Sequence, residues 1–415
     1  MDIKITPSKQ ISGEVFAPPS KSYAHRFIIS AFLSKESGFI KSVGTSKDVL
    51  ATLNALSSIG LKYNLTNSGV EFSYNEIGEY SVLDCRESGS TLRFLFPIVC
   101  ALGLEVEFTG SEKLLSRPIK DLADTLKENG AKIDGFKVSG KLKSGDYKIT
   151  GKVSSQFISG LLFALPLLDG DSKIIIDGEA VSKDYIKITL EVLNVFGIKI
   201  EETAYGYFVI GNQKYKCPKT IEIEGDYSGA SFILALGALS DKGVTVLNLN
   251  KASSQGDKKI IDALKLFGAK ITEVDGGYFV KKGELNGITL DCENIPDLVQ
   301  ILSVVASFAK GESRFLNVSR LKLKESDRIE GIIKNLTSAG VKAEYTGNDL
   351  IIYGGEVKGS VFYGDNDHRT VMSGVVLSTF CKGESTILGA EAISKSYPEF
   401  FKDYKLIGGI VDGDI

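Results

Sequence analysis

Tryptophan is missing from this 415-residue chain, and histidine nearly so, with only His25 and His368 present. That scarcity excludes a histidine-rich metal centre and leaves little from which to build a hydrolase triad. The Gly-x-Ser-x-Gly elbow of serine hydrolases is absent as well. Cysteine is sparse and odd in number: Cys85, Cys100, Cys217, Cys292 and Cys381, no two at C-x-x-C spacing. Neither a disulfide framework nor a thiolate zinc site follows from such a set. An excess of one charge is lacking too, with 49 Lys+Arg against 52 Asp+Glu and a net charge of −3. A generic nucleic-acid binder usually carries a basic surplus, so nucleic acid is not an expected partner. No apolar run reaches the roughly 20 residues that span a bilayer, so no membrane partner is expected. The opening Met1-Asp2-Ile3-Lys4-Ile5 resembles neither a signal nor a transit peptide, and a cytoplasmic location is expected. Nucleotide fingerprints also fail. Between Gly145 and Gly151-Lys152 there is one residue too many for a P-loop, and Val153 stands where a magnesium-binding hydroxyl belongs.

What remains is an ordinary globular composition, 43% apolar and 24% charged. At about 150 residues per domain, this length suggests two or three cores. A repeat organises them. The pattern Leu-x-x-x-Gly-apolar-Lys occurs at Leu56/Gly60, Leu126/Gly130, Leu193/Gly197, Leu264/Gly268 and Leu336/Gly340, with steps of 67 to 72 residues. A degraded sixth copy is Tyr404/Gly408. The leucine is read as the last core-facing residue of a helix, the glycine as its left-handed cap, and the apolar-Lys pair as the start of an exposed strand. Alternation in Lys270–Val274 and the turn Asp275-Gly276 predict hairpins. Apolar runs at Phe94–Leu102, Phe157–Leu168, Phe232–Leu239 and Leu298–Phe308 predict one long buried helix per unit. The fold class is therefore α/β, repeated six times. Units of about 70 residues exceed usual solenoid repeats, and gathering in threes around pseudo-threefold axes gives two globules. The break is expected near Ile221–Asp226.

Several of these helices open on small polar residues with a cation nearby, a composition suited to anions at a helix N-terminus. Lys21-Ser22 and Arg26 precede one apolar run, Ser88-Gly89-Ser90-Thr91 with Arg93 a second, and Lys152 with Ser154-Ser155-Gln156 a third. Ser116-Arg117-Pro118, Lys322-Leu323-Lys324-Glu325-Ser326-Asp327-Arg328, Asn366-Asp367-His368-Arg369 and Ser394-Lys395-Ser396-Tyr397-Pro398 follow. Each alone reads as a cap or a solvated helix start; together they point to polyanionic ligands.

In this order, and with Ile295-Pro296-Asp297 among them, the motifs resemble the 5-enolpyruvylshikimate-3-phosphate synthase family over residues 18 to 398. The resemblance implies the two-domain enolpyruvyl transferase fold, with six βαβαββ-type units, three per domain. It assigns 13–223 to the first domain and 1–12 with 224–415 to the second, and puts the active site in the interdomain cleft, which closes on substrate. It implies transfer of the enolpyruvyl group of phosphoenolpyruvate to the 5-hydroxyl of shikimate 3-phosphate by addition and elimination. No cofactor and no metal are implied, and the family's habit is monomeric. Catalytic roles fall on Asp297 as base, Glu325 as acid, and Lys21. Shikimate 3-phosphate is assigned to Lys21, Ser22, Arg26, Ser154, Ser155, Gln156, Ser182, Asp297 and Lys324. Phosphoenolpyruvate is assigned to Lys21, Gly89, Arg117, Gln156, Arg328, Arg369 and Lys395. Tyr185 resembles a ring-packing tyrosine, and His368 a structural neighbour of Arg369. Glu87 and Arg320 depart from the commonest pattern, where asparagine is found. Gly89 is the residue carried by glyphosate-sensitive members.

Three rivals are weighed beside this. The UDP-N-acetylglucosamine enolpyruvyl transferases share the fold, but carry Lys-Asn where this chain has Lys21-Ser22, and a loop cysteine absent from Glu112–Ser116. RNA 3′-phosphate cyclases need a catalytic histidine and a nucleotide. A repeat-built scaffold without catalysis has no use for Lys21, Asp297, Glu325 and Arg328 together.

Overall fold

The computed structural model describes residues 1–75 and 80–413. Within them, the twenty-four strands form six four-stranded sheets, one per repeat. The Tyr80–Gly140 repeat shows the plan. Tyr80–Asp84 leads through the helix Gly89–Leu102 to a parallel strand, Glu105–Thr109, and the helix Lys120–Glu128 then leads to the hairpin Ala131–Asp134/Lys137–Gly140. The hairpin's second strand closes antiparallel onto Glu105–Thr109. This is the βαβαββ unit, and the same strand order recurs in all six sheets.

The repeat glycines do what their spacing predicts. Gly60, Gly130, Gly197, Gly268, Gly340 and Gly408 all have φ between +75° and +112°. After four of them the next residue donates its N–H back to the carbonyl of the pattern's first residue: Ile198 to Leu193, Ala269 to Leu264, Val341 to Leu336 and Gly409 to Tyr404. That is the Schellman closure, which satisfies carbonyls a helix end otherwise leaves open.

The helix between the two parallel strands of each unit is the buried one. Every residue of Tyr227–Leu239 and Val299–Ser307 is buried, and so is His368–Phe380 except its last. A helix apolar on all sides has to lie inside a core. Two such cores exist with no residue in common, one drawn from Tyr23–Ile223 and one from Ile3–Ala17 with Tyr227–Ile407. The chain accordingly divides into a first unit, Lys21–Ile223, and a second, Met1–Ser20 with Glu224 onward.

One boundary differs from the sequence expectation of residue 13. Ser12–Phe16 pairs in parallel with Gly243–Leu247, so residues 13–20 belong to the second unit. Reciprocally, Thr220–Glu222 pairs with Gly38–Lys41 in the first. At each crossing the leading strand of one repeat is thus supplied by the segment that precedes a helix of the other unit. Asp2–Thr6 likewise completes the sixth sheet against Ser385–Leu388 and Ile410–Asp412. Among the described residues, no helix is long and apolar enough to cross a membrane.

The cap glycines differ in what surrounds them. A Cβ on Gly268 would lie 2.1 Å from the Glu284 carbonyl oxygen, whereas on Gly340 its nearest contact is 4.0 Å away. Gly340→Ala is expected to cost ~1–2 kcal/mol for the left-handed backbone alone, and Gly268→Ala a further ~1–3 kcal/mol for overpacking. Urea denaturation of the two variants compares them directly; equal losses would contradict the packing account.

Candidate active site

In the first unit the polar residues gather at the N-termini of the buried helices. Ser88 caps Gly89–Leu102 by accepting from the Thr91 N–H, and Ser154 caps Ser155–Ala164 by accepting from the Gln156 N–H. Gln156 then joins the two helix starts. Its amide nitrogen donates to Ser90 Oγ at 2.9 Å, and its oxygen accepts from Arg93 at 2.8 Å. Arg93 also donates to the Pro118 carbonyl, beside Arg117. Arg117 lies over Gly89 so closely that a Cβ there would stand 2.7 Å from its Nη1. Glycine at 89 is thus what lets the guanidinium reach this helix end. Lys21, opening the helix Lys21–Ser34, pairs with Asp48 at 2.8 Å.

Arg26 sits deeper than its neighbours, 2% exposed. It donates to Thr189 Oγ1 at 2.7 Å, the Ser22 carbonyl at 2.7 Å and the Tyr185 carbonyl at 2.9 Å, with its guanidinium over the Phe94 ring. Burial lowers its pKa to about 10, leaving it charged at neutral pH. Its role in the fold is to join the Lys21-Ser22 turn to the turn carrying Ser182 and Tyr185. Ser182 itself is buried with φ +53°, a left-handed backbone unusual for serine.

The second unit carries the carboxylates. Asp297 lies in the short 3-10 turn Pro296–Leu298 ahead of Val299–Ser307, and three cations face it: Arg328 at 2.7 Å, Lys324 at 3.3 Å and Arg369 at 3.6 Å. Arg328 is almost wholly enclosed and also pairs with Glu325 at 2.6 Å and Asp367 at 2.7 Å. Asp367 in turn caps His368–Phe380 by accepting from the Arg369 N–H. Lys395 donates to the Asn366 carbonyl at 2.5 Å, and His368 is buried beside Asp367. Arg320 lies in the Ser319–Leu323 turn within the fields of Asp297 and Glu293.

Burial pushes the Asp297 carboxyl up, but Arg369, Lys324 and Arg328 together outweigh it and hold the group well below the usual carboxylate range. Lys324 is shifted down by burial, against the pull of Asp297. Asp257, in the turn Gly256–Lys259, goes the other way. Its burial, aided by the negative charge of Asp297, raises it to about 6.

Residues 5–404 match the family described as EPSP synthase (3-phosphoshikimate 1-carboxyvinyltransferase). The chain belongs to the EPSP synthase family. The 3-phosphoshikimate 1-carboxyvinyltransferase of Clostridium perfringens is 41% identical over 99% of both chains, and that of Clostridium kluyveri 40% identical over 99% of this chain and 98% of the other. A solved EPSP synthase of Acinetobacter baumannii, 22% identical, superposes with a TM-score of 0.81 over 99% of this chain and 100% of that one. At that identity the likeness speaks for the fold alone: this is the two-domain enolpyruvyl transferase fold.

Each unit contains its own share of the expected residues. Lys21, Ser22, Arg26, Gly89, Arg117, Ser154, Ser155, Gln156 and Ser182 are in the first unit, and Asp297, Lys324, Glu325, Arg328, Arg369 and Lys395 in the second. Sequence reasoning had no role for Asp48, Thr189, Asp257 or Asp367. Asp367 was legible as an N-cap before an apolar run; the other three carry no local signal, since their partners lie elsewhere in the chain.

Asp257 yields a stability prediction. With its folded pKa raised, the unfolded chain loses this proton first, so ionisation costs stability increasingly between about pH 4 and pH 6, and the penalty is constant above. Asp257→Asn is therefore expected to be neutral near pH 4 and stabilising by on the order of 2 kcal/mol at pH 7–8. Denaturation midpoints across that range test it; a variant offset independent of pH contradicts it.

Proposed function

We propose that this chain catalyses the reaction of its family. The enolpyruvyl group of phosphoenolpyruvate passes to the 5-hydroxyl of shikimate 3-phosphate, and inorganic phosphate leaves. The observation that carries the reading is the second unit's cluster, where a half-buried carboxylate is held ionised among three cations at the start of a helix. Both substrates are multiply anionic, and groups of that charge belong where helix N-termini and guanidinium forks converge.

Asp297 accepts the hydroxyl proton as oxygen bonds to C2 of phosphoenolpyruvate, and Glu325, in its protonated form, supplies the proton that C3 takes up. The tetrahedral adduct then loses phosphate while C3 gives a proton back. Asp297 is a weak base as long as three cations face it. Substrate phosphate and carboxylate groups compete for Lys324 and Arg369, which raises its basicity as the complex forms. Lys21, Ser22, Ser154, Ser155, Gln156, Ser182, Asp297 and Lys324 hold shikimate 3-phosphate, with Arg26 adding its charge from beneath Ser22. Lys21, Gly89, Arg117, Gln156, Arg328, Arg369 and Lys395 hold phosphoenolpyruvate, and the protein acts as a monomer without a metal or organic cofactor.

Phosphate release from purified protein given both substrates is the direct test. Release is expected only when both are present, and Asp297→Asn, which keeps the side chain's shape, is expected to lower kcat by ~10²–10⁴. No release with shikimate 3-phosphate, but release with UDP-N-acetylglucosamine, would move the chain to the sister activity. Gly89→Ala is expected to displace Arg117 and raise KM for phosphoenolpyruvate by ~10-fold or more, with KM for shikimate 3-phosphate little changed. Equal KM values for variant and parent would remove Arg117 from the phosphoenolpyruvate contacts.

A further inference from the structure

Behind the second unit's charge cluster, Gln300, Ser303, Gly331, Asn335, Thr370 and Ser373 help line a cavity of about 20 Å³. Its walls are the helices Val299–Ser307, Arg328–Ser338 and His368–Phe380. Each of these helices begins at the cluster: Asp297 stands just ahead of the first, Arg328 opens the second, and Arg369 lies in the first turn of the third. Gln300 is one turn past Asp297, and Thr370 directly follows Arg369. Between them the Gln300 amide donates to Thr370 Oγ1 at 2.6 Å.

A glutamine that is 2% exposed inside an apolar helix is costly unless its amide is satisfied at both ends. Gln300 Oε1 is shielded from solvent and has no protein partner, and the same holds for Ser373 Oγ. If the amide is turned over, one polar atom is still left unmatched. Both residues line the cavity, whose size exceeds the ~10–15 Å³ that one water requires.

We propose that Gln300 is a positioning residue for the reaction: its bond to Thr370, completed by one water bridging Gln300 Oε1 and Ser373 Oγ, sets how far Arg369 stands from Asp297. Arg328 grips Asp297 and Asp367 with short bonds of 2.7 Å. Arg369 reaches the Asp297 carboxylate only at 3.6 Å and its carbonyl at 3.3 Å. A contact of that length depends on how the Arg369 helix is seated on the Asp297 helix, and the Gln300–Thr370 bond lies one turn past Asp297 on one helix and at the residue next to Arg369 on the other. The kinetic consequence rests on the enolpyruvyl-transfer reading above; the geometric one does not.

The test uses Gln300→Met, which keeps the volume and removes the amide, Thr370→Val, which removes only the hydroxyl, and Thr370→Ser, which restores it. Crystal structures of the intact chain are expected to show the bridging water in the parent. In the Met and Val variants the Arg369–Asp297 separation is expected to change by ~0.5 Å or more, the scale on which a site's geometry has to be held. In steady-state assays those two variants are expected to lose ~5–30-fold in kcat/KM for phosphoenolpyruvate, mostly through KM, with the double variant no worse than either. Thr370→Ser is expected to stay within about twofold of the parent. Variants that melt earlier yet keep the separation and kcat/KM would reduce Gln300 to core packing and overturn the proposal. A parent structure without the water would overturn the bridge. If the parent turns over neither substrate pair but the separation still shifts, the functional reading fails and the positioning stands.

Discussion

A helix that is apolar on every side has to be buried along its whole length, and its first turn then carries N–H groups into a place where water cannot serve them all. The buried helices of this chain meet that constraint, and in four repeats a polar residue at the helix start relieves it. Ser88, Ser154, Asp226 and Asp367 each turn a side-chain oxygen onto a backbone N–H of the helix they precede. The residues around Ser88, Ser154 and Asp367 form the two polar clusters to which the proposed reaction is assigned. Fold and function therefore share one origin: the interior of each repeat demands an apolar helix, and the end of that helix is the cheapest place to set charge.

The two units handle that charge differently. In the first, Arg26 is held by a hydroxyl and two carbonyls, so its positive charge meets neutral dipoles. In the second, Arg328 meets three carboxylates, Asp297, Glu325 and Asp367. Breaking a buried pair of that kind by removing one partner typically costs ~3–5 kcal/mol. Asp297 is thereby held in one place and ionised before any ligand arrives, which is the state that its proposed role as a base requires. Asp257 faces the same field with its proton bound more tightly, since burial and the charge of Asp297 both act against its ionised form.

Much of this was legible in the residues alone. The repeat was readable because a left-handed cap needs glycine, and the leucine before it has to face the core; both are demands of neighbours within a few positions. The buried helices were readable from unbroken apolar runs, and the anion-binding ends from small polar residues next to cations. Where sequence reading placed the first boundary at residue 13, the pairing of Ser12–Phe16 with Gly243–Leu247 overruled it. Nothing in five residues of strand states which of two sheet edges they will join.

Sequence by itself determined the α/β repeat, its six helix caps, the order of the motifs and the residue types available for anion chemistry, because each is set by local sterics, hydrogen bonding or hydrophobic period. Only the tertiary structure decided the exchange of leading strands, the depth of Arg26, the pairing of Lys21 with Asp48, the opposite shifts of Asp297 and Asp257, and the bond from Gln300 to Thr370. Those depend on distances between residues 27 to 231 positions apart along the chain, from Lys21 and Asp48 to Ser12 and Gly243. A charge or an amide acts through space with whatever the folded chain brings beside it, and that neighbour is not written in its own stretch of sequence.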